Sequence, residues 1–311
     1  MRVTVTGGAG FIGANLCRTL LLDPGIDGVT VIDDLSTGAK GNLEGLDVRF
    51  VEGSILDRAA LDDATADTDA IVHLAARPSV PRSIVDPMAS HLVNATGTVE
   101  VLEAARRAGN ARVIVASSSS VYGANPTLPK HEDLTPMPVS PYAVSKLATE
   151  SYAIAYGHSY GLPTLAFRFF NVFGPLQAAG HAYAAVVPAF VAAALAGEPL
   201  PVHGDGRQSR DFTYVDTVAQ VIARALTDGV SSDRPVNLAF GTRTDLLTVI
   251  DLLRGILDAD LPVEHLPTRP GDVRDSQADT TALRRLLPGL DPIDLEEGLR
   301  RTVAWMRTDV D

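Results

Sequence analysis

Apolar positions along the chain follow two alternating periods. Short runs rich in β-branched residues read as strands: VTVTG (3–7), VTVID (29–33), VRFVEG (48–53), AIVHLAA (70–76) and RVIVASS (112–118). Between them lie longer alanine- and leucine-rich stretches with helical spacing, such as 11–22 and 94–108. TLAFRFFNVFG (164–174) and PVNLAFG (235–241) predict further strands. Strands that alternate with helices predict a parallel, doubly wound sheet, so the expected fold class is α/β.

After Asn171 the alternation loosens, and Gly/Pro-rich loops fall around 174–181 and 197–206. Such a pattern suits a smaller lobe that closes over a ligand. The expected division is a dinucleotide-binding domain over 1–170 and a second lobe over 171–210 and 244–311. The segment 211–243 returns to the first domain. The apolar run 182–197 contains Pro188 and is shorter than the ~20 residues of a membrane span. It reads as a buried helix beginning near Pro188 and stopping at Gly197. MRVTVTGGAG reaches glycines at once, without the apolar stretch of a signal peptide.

Composition narrows the partners. At 311 residues the chain exceeds the usual ~150-residue domain. With 46% hydrophobic and 21% charged residues it has the balance of a globular protein. A net charge of −12 argues against nucleic acid and against an anionic membrane. An anionic small molecule is still compatible, because a few local arginines outweigh distant charge within a Debye length. Cys17 is the single cysteine, which excludes an intrachain disulfide and suits a reducing, cytoplasmic setting. No metal is expected, since none of the seven histidines has metal-ligand spacing.

Gly7, Gly10 and Gly13 fall at the first strand-to-helix turn, where glycines permit a tight turn and close approach of a pyrophosphate to helix N–H donors. An ordinary βα turn has the same local pattern. Twenty residues after Gly13, Asp33 ends the next strand, placed to accept hydrogen bonds from a ribose and to repel a 2′-phosphate, so NAD is expected over NADP. Asp34 is its competitor, expected to face the loop. In EGSILD, Ser54 and Ile55 are placed to line an adenine and Asp57 to cap a helix.

In SPYAVSK, Tyr142 and Lys146 stand four apart and share one helix face. An isolated pair of this kind is more often a solvated surface. For Tyr142 to act as a base at neutral pH its pKa must fall about three units from ~10, or ~4 kcal/mol of preferential phenolate stabilisation. An adjacent ammonium and a positive nicotinamide have the required sign.

Together TGGAGFIG, HLAARPSVPRS, SSSSVYG, SPYAVSK, RFFNVFGP, GDGRQSRDFTYV and RPGDVRDSQAD span nearly the whole chain. In this order they resemble the extended short-chain dehydrogenase/reductases, specifically the nucleotide-sugar epimerase/dehydratase family. The resemblance implies a Rossmann fold and NAD held by Gly7, Gly10, Phe11, Ile12, Gly13, Asp33, Ser54, Ile55, Leu74, Ala75, Ala76, Tyr142 and Lys146. By register with the family, Ser118 is the catalytic serine, with Ser117 and Ser119 as rivals, because a one-residue slip on a strand reverses the side chain. Ser118 would steady proton transfer from the sugar C4 oxygen to Tyr142, and Lys146 would hold the nicotinamide ribose and acidify the tyrosine.

The family's 4,6-dehydratases carry an Asp–Glu pair directly after this serine, where the present chain has Ser119 and Ser120. Elimination is then unsupported, and redox at C4 through a 4-keto sugar remains: a UDP-sugar 4-epimerase. Substrate contacts are implied for Asn171, Val202, His203, Arg210, Arg274 and Ser276, with His203 against uracil and the arginines and Asn171 at the diphosphate. A small residue such as Ser276 admits a 2-acetamido group. AYAAVVPAF with GDVRDSQAD looks most like epimerases that interconvert UDP-N-acetylglucosamine and UDP-N-acetylgalactosamine. Asp275 stands where relatives commonly have histidine. Relatives also form homodimers through two helices, here 94–108 and 145–159, whose alanine-rich faces allow close packing. The alternatives are another nucleotide-sugar epimerase, dehydratase or reductase, and a dinucleotide sensor without chemistry.

Overall fold

The computed structural model describes residues 1–179, 184–268 and 274–309. Parts of two motifs, at 180–183 and 269–273, lie outside the described residues. The first half of the chain runs β1 (Arg2–Thr6), α1 (Phe11–Leu21), β2 (Gly28–Asp33), β3 (Val48–Glu52), α2 (Arg58–Thr65), β4 (Ala70–His73), α3 (Val80–Val85), α4 (Pro87–His91), α5 (Gly97–Arg107), β5 (Arg112–Ser118), α6 (Pro141–Tyr160) and β6 (Thr164–Phe169). It continues as β7 (Val172–Phe173), α7 (Val186–Ala196), β8 (Leu200–His203), β9 (Ser209–Arg210), β10 (Thr213–Tyr214), α8 (Val215–Thr227), β11 (Val236–Leu238), β12 (Thr244–Asp245), α9 (Leu246–Leu257), β13 (Val263–Leu266), α10 (Thr281–Leu286) and α11 (Leu295–Asp309).

Seven of these strands form a parallel sheet in the order β11-β6-β5-β4-β1-β2-β3, which is the Rossmann topology. β4 is buried at every position, as a strand covered on both faces must be. Its side chains divide by parity. Ala70 and Val72 join Val5, Val31, Ile114, Leu16, Leu20, Val218 and Ile222 in a core beneath α1 and α8. Ile71 joins Val113, Val115, Leu102, Ala105 and Ala153 beneath α5 and α6 on the other face. A further core gathers Phe173, Phe190, Phe212, Tyr214, Val249, Leu253 and Leu299 around α7, α9 and α11. Within it the Phe173 ring meets Tyr214 and Phe212 edge-on, at 5.6 and 6.1 Å.

Two helices depart from their expected outlines. The stretch predicted over 94–108 is α-helical only from Gly97; Leu92–Thr96 forms a π turn. The Asn94 carbonyl accepts hydrogen bonds from the Thr98 and Thr149 hydroxyls, side-chain competition that opens the regular ladder. α7 starts at Val186, because Pro188 is tolerated within the first turn, and stops at Gly197 in the left-handed conformation, φ 69°. Burial of that helix is confined to its first half, at Val187, Pro188, Phe190 and Val191.

Candidate active site

The C-terminal ends of the sheet strands open onto a cavity of about 380 Å³. Every residue expected to hold the dinucleotide borders it: Gly7, Gly10, Phe11, Ile12, Gly13, Asp33, Ser54, Ile55, Leu74, Ala75, Ala76, Tyr142 and Lys146. Gly7 has φ 71°, and a Cβ there would stand 2.6 Å from the Ala75 nitrogen; at Gly13 it would stand 2.3 Å from the Gly7 carbonyl oxygen. Neither position can carry a side chain without moving backbone.

The ends of the helices around the cavity differ in a way that fits a bound pyrophosphate. Asp57 caps α2, as expected, by accepting from the Ala59 and Ala60 amides, and Ser140 caps α6. Gly10, the N-cap of α1, supplies no such acceptor, so first-turn N–H groups of α1 point to the cavity without a side-chain partner. The Asp33 carboxylate accepts from the Ala9 and Leu35 amides, both at 2.9 Å, and burial raises its pKa against those two bonds. Asp34 is exposed and accepts from the Ser36 amide, although it too reaches the cavity rim.

Tyr142 and Lys146 project together from α6. The helix is pinned at its start by the Ser140 cap and by the Tyr142 amide, which donates to the Ser83 hydroxyl at 3.0 Å. Lys146 is buried and donates to the Ala116 carbonyl at 2.8 Å; burial pulls its pKa down to about 8. Tyr142 differs from the expectation of an acidified phenol. Burial pushes it up, and the opposing contribution is a hydrogen bond with Ser118. Lys146 reaches a carbonyl of β5.

Strand parity separates the serines. Ser118 faces Tyr142, accepts from the Ser120 amide at 3.2 Å and meets the Ser120 hydroxyl at 2.9 Å. Ser117 points to the opposite side and donates to the Glu150 carboxylate at 2.6 Å. Glu150 is itself paired with Arg168 at 2.6 Å in a fully buried arrangement.

A second cavity, about 270 Å³, shares Ser118, Phe169 and Asn171 with the first. Ser119, Ser120, Lys130, Arg210, Asp275 and Ser276 also line it. A third, about 220 Å³, continues from Asn171 and Arg210 to His203, Pro201, Gln208 and Phe212. Asn171 therefore borders all three, with φ 31°, and donates to the Asp211 carbonyl.

Two expected contacts are not brought into these cavities. Val202 is fully buried in the core under α7 and α9, because β8 alternates and presents Pro201 and His203 to the cavity instead. Arg274 has a side chain 73% exposed, 3.7 Å from Asp205, and lines neither the second nor the third cavity. It contributes through its carbonyl, which accepts from Arg210 at 3.0 Å.

Three further positions matter that pattern reading did not single out. Asn94 is buried, bridges both backbone polar groups of Arg77 and donates to Ser145, fixing the loop after β4 against α6. Ser83 ties α3 to the first turn of α6. Asp211, wholly buried, accepts from the Gly241 and Ala278 amides and the Thr242 hydroxyl, and so fastens the segment that carries Ser276 beside Arg210. A buried acid directly after an arginine in QSRDF, or an asparagine inside an apolar helix, was the available signal.

A family model described as NAD dependent epimerase/dehydratase family matches residues 3–239. A UDP-glucose 4-epimerase of Mycolicibacterium smegmatis is 39% identical over 314 residues, covering 99% of each chain. A probable UDP-glucuronate 4-epimerase of Rhizobium meliloti is 33% identical, covering 98% of this chain and 96% of that one. Among solved structures, the UDP-N-acetylglucosamine 4-epimerase from Methanobrevibacter ruminantium, in complex with UDP-N-acetylmuramic acid, superposes with a TM-score of 0.93 at 36% identity, over 99% of this chain and 98% of that one. With a glycine turn at an uncapped helix, an acidic end to β2 and a Ser–Tyr–Lys set on one cavity, the chain belongs to the NAD-dependent epimerase/dehydratase family.

Proposed function

We propose that the protein is a UDP-sugar 4-epimerase acting on neutral hexose or 2-acetamidohexose substrates. The observation that carries this reading is that Ser118 lines the first cavity together with Tyr142 and Lys146 and also borders the second, where Ser119 and Ser120 stand beside it in place of an acid pair. Tyr142 takes the proton of the C4 hydroxyl, and Ser118 holds that oxygen in line with the phenol. When bound, NAD supplies the acceptor, and then the donor, of the C4 hydride. The chain's own task is to place C4, let the 4-keto sugar turn, and return the proton from Tyr142 to the C4 oxygen. Arg210 and Asn171, at the junction of the second and third cavities, hold the diphosphate, and His203 borders the nucleoside end. Neither serine after Ser118 can ionise near neutral pH to abstract a C5 proton, which disfavours dehydration.

Support comes from the epimerases among the relatives and from the residues present. The test is a panel of UDP-hexoses and UDP-2-acetamidohexoses incubated with the NAD-loaded protein, read by NMR at C4. Inversion with conserved product mass is expected; loss of water, or no change in any substrate, would overturn the reading.

A homodimer through α5 and α6 is part of the same proposal. Ala104, Ala105 and Ala153 are buried within the single chain, so the expected alanine faces are already occupied. Leu92, Val144, Tyr152 and Tyr160 are exposed apolar residues of α6 and of the turn before α5, at 44, 53, 43 and 49%. Light scattering on the wild type and on Val144→Asp with Tyr152→Asp reports the mass; an unchanged mass removes this interface.

A further inference from the structure

One wall of the second cavity carries chemistry that proton transfer at C4 does not use. Ser119, Ser120, Asn171 and Ser276 bring neutral polar groups to the cavity. Lys130 borders it with its ammonium bonded to the Asn125 carbonyl, and Arg210 stands where the third cavity begins. Asp275 is the acidic residue among the described lining groups.

The Asp275 carboxylate is held from behind. It accepts from the Ser209 hydroxyl and pairs with Arg243 at 3.0 Å, while Arg243 Nε also donates to Ser209 Oγ at 3.0 Å. Arg243 borders neither the second nor the third cavity. The pair therefore turns its anionic end to the cavity and keeps its cation at the back. The Ser209 hydrogen bond, helped by Arg243, holds the Asp275 carboxyl below its ordinary pKa, so the group is ionised at neutral pH.

An ionised carboxylate only accepts hydrogen bonds. A sugar hydroxyl or acetamido N–H can donate to it. A sugar carboxylate cannot, and it adds a like charge inside a space of about 270 Å³, where all parts of a hexose lie within a Debye length of Asp275. A like charge presented on the cavity wall is an effective way to reject one ligand without improving another.

We propose that Asp275, backed by Arg243, is the specificity-determining residue that keeps uronate-bearing nucleotide sugars out of this site and admits neutral ones. The inference rests on the nucleotide-sugar reading above.

Two substitutions with opposite electrostatic sign test it. Asp275→Asn removes the negative charge at constant size. Arg243→Gln removes the compensating cation and leaves the carboxylate less neutralised. Dissociation constants of UDP-glucuronate and UDP-glucose, measured by titration calorimetry on the NAD-loaded protein at low ionic strength, define a discrimination ratio. Asp275→Asn should reduce discrimination against the uronate about tenfold, equivalent to about 1.4 kcal/mol. Arg243→Gln should increase it. A clasp that merely holds segments together would shift both variants in the same direction, and that result, or an unmoved ratio, overturns the proposal. If Asp275→Asn does not fold, the sign of the Arg243→Gln change decides alone. Failure of the wild type to bind UDP-glucose would bring down the nucleotide-sugar reading with it. Binding with an unmoved ratio would bring down the specificity role only.

Discussion

Replacing Tyr142 by Phe removes one oxygen and leaves the ring on the cavity wall. We expect turnover to fall by at least about 10³-fold with NAD still bound, checked by steady-state kinetics and by cofactor content of the purified variant. The neighbouring serines give a sharper comparison, since they differ by one position and by which side of β5 they occupy. Ser118→Ala should lower kcat by about 10²-fold with little loss of stability. Ser117→Ala should do the reverse, costing about 1 kcal/mol in urea denaturation through the lost Glu150 bond while kcat stays near wild type. Equal kinetic damage from both would contradict the assignment of roles by strand parity. Parity also explains which individual residues the sequence made legible. Register places Ser118 on the cavity, whereas the Val202 side chain enters the core because β8 turns Pro201 and His203 to the cavity. Arg274 shows a different gap: a motif fixes where an arginine lies in the chain but not which of two nearby carboxylates its flexible side chain meets, and here it meets Asp205.

Among elements, the contact between α1 and the turn after β1 is unforgiving. A methyl group on Gly13 would collide with the Gly7 carbonyl, so Gly13→Ala must displace the helix start that faces the pyrophosphate. Affinity for NAD should drop more than tenfold in calorimetry, with a loss of about 1–3 kcal/mol in stability. Asp57→Ala provides a control on the opposite face of the sheet: it removes a cap, costs about 1 kcal/mol, and should leave NAD affinity intact. All seven sheet strands were visible as short apolar runs: the inner ones because a strand covered on both faces has no polar side to blur the pattern, and the edge strand β3, with Arg49 and Glu52 exposed, through Val48, Phe50 and Val51. The short α3 and α4, and the π turn before α5, escaped for the converse reason. They are set by side chains bonded to nearby backbone, Ser79 and Asp86 accepting from the Arg82 and Ala89 amides and Thr98 and Thr149 donating to the Asn94 carbonyl, a level of detail that hydrophobic periodicity does not carry.

For the molecule as a whole, acid stability depends on a group outside the proposed chemistry. His73 is buried between the Thr6 and Thr98 hydroxyls, and burial, reinforced by the charge of Lys146, lowers its pKa to about 3. The unfolded chain takes up this proton below about pH 6.5 while the folded chain stays neutral. Stability from this source is complete above pH 6.5 and falls as the pH drops toward 3. At pH 5 the loss is about 2 kcal/mol, from roughly 1.5 pH units at 1.36 kcal/mol each. His73→Gln should flatten the fall in urea midpoint between pH 7 and 5; an unchanged slope would exclude His73 as its source. The route of the chain has its own consequence. β11 reaches β6 only after the polypeptide has laid down Phe173, Phe190, Val202 and Phe212 elsewhere, so a nascent chain on the ribosome carries an unfinished sheet for some seventy residues. Until residue 238 emerges, β6 offers a naked rim, apolar at Leu165, Ala166, Phe167 and Phe169, to any passing strand. A fragment ending at residue 179 should accordingly collect in inclusion bodies when expressed alone.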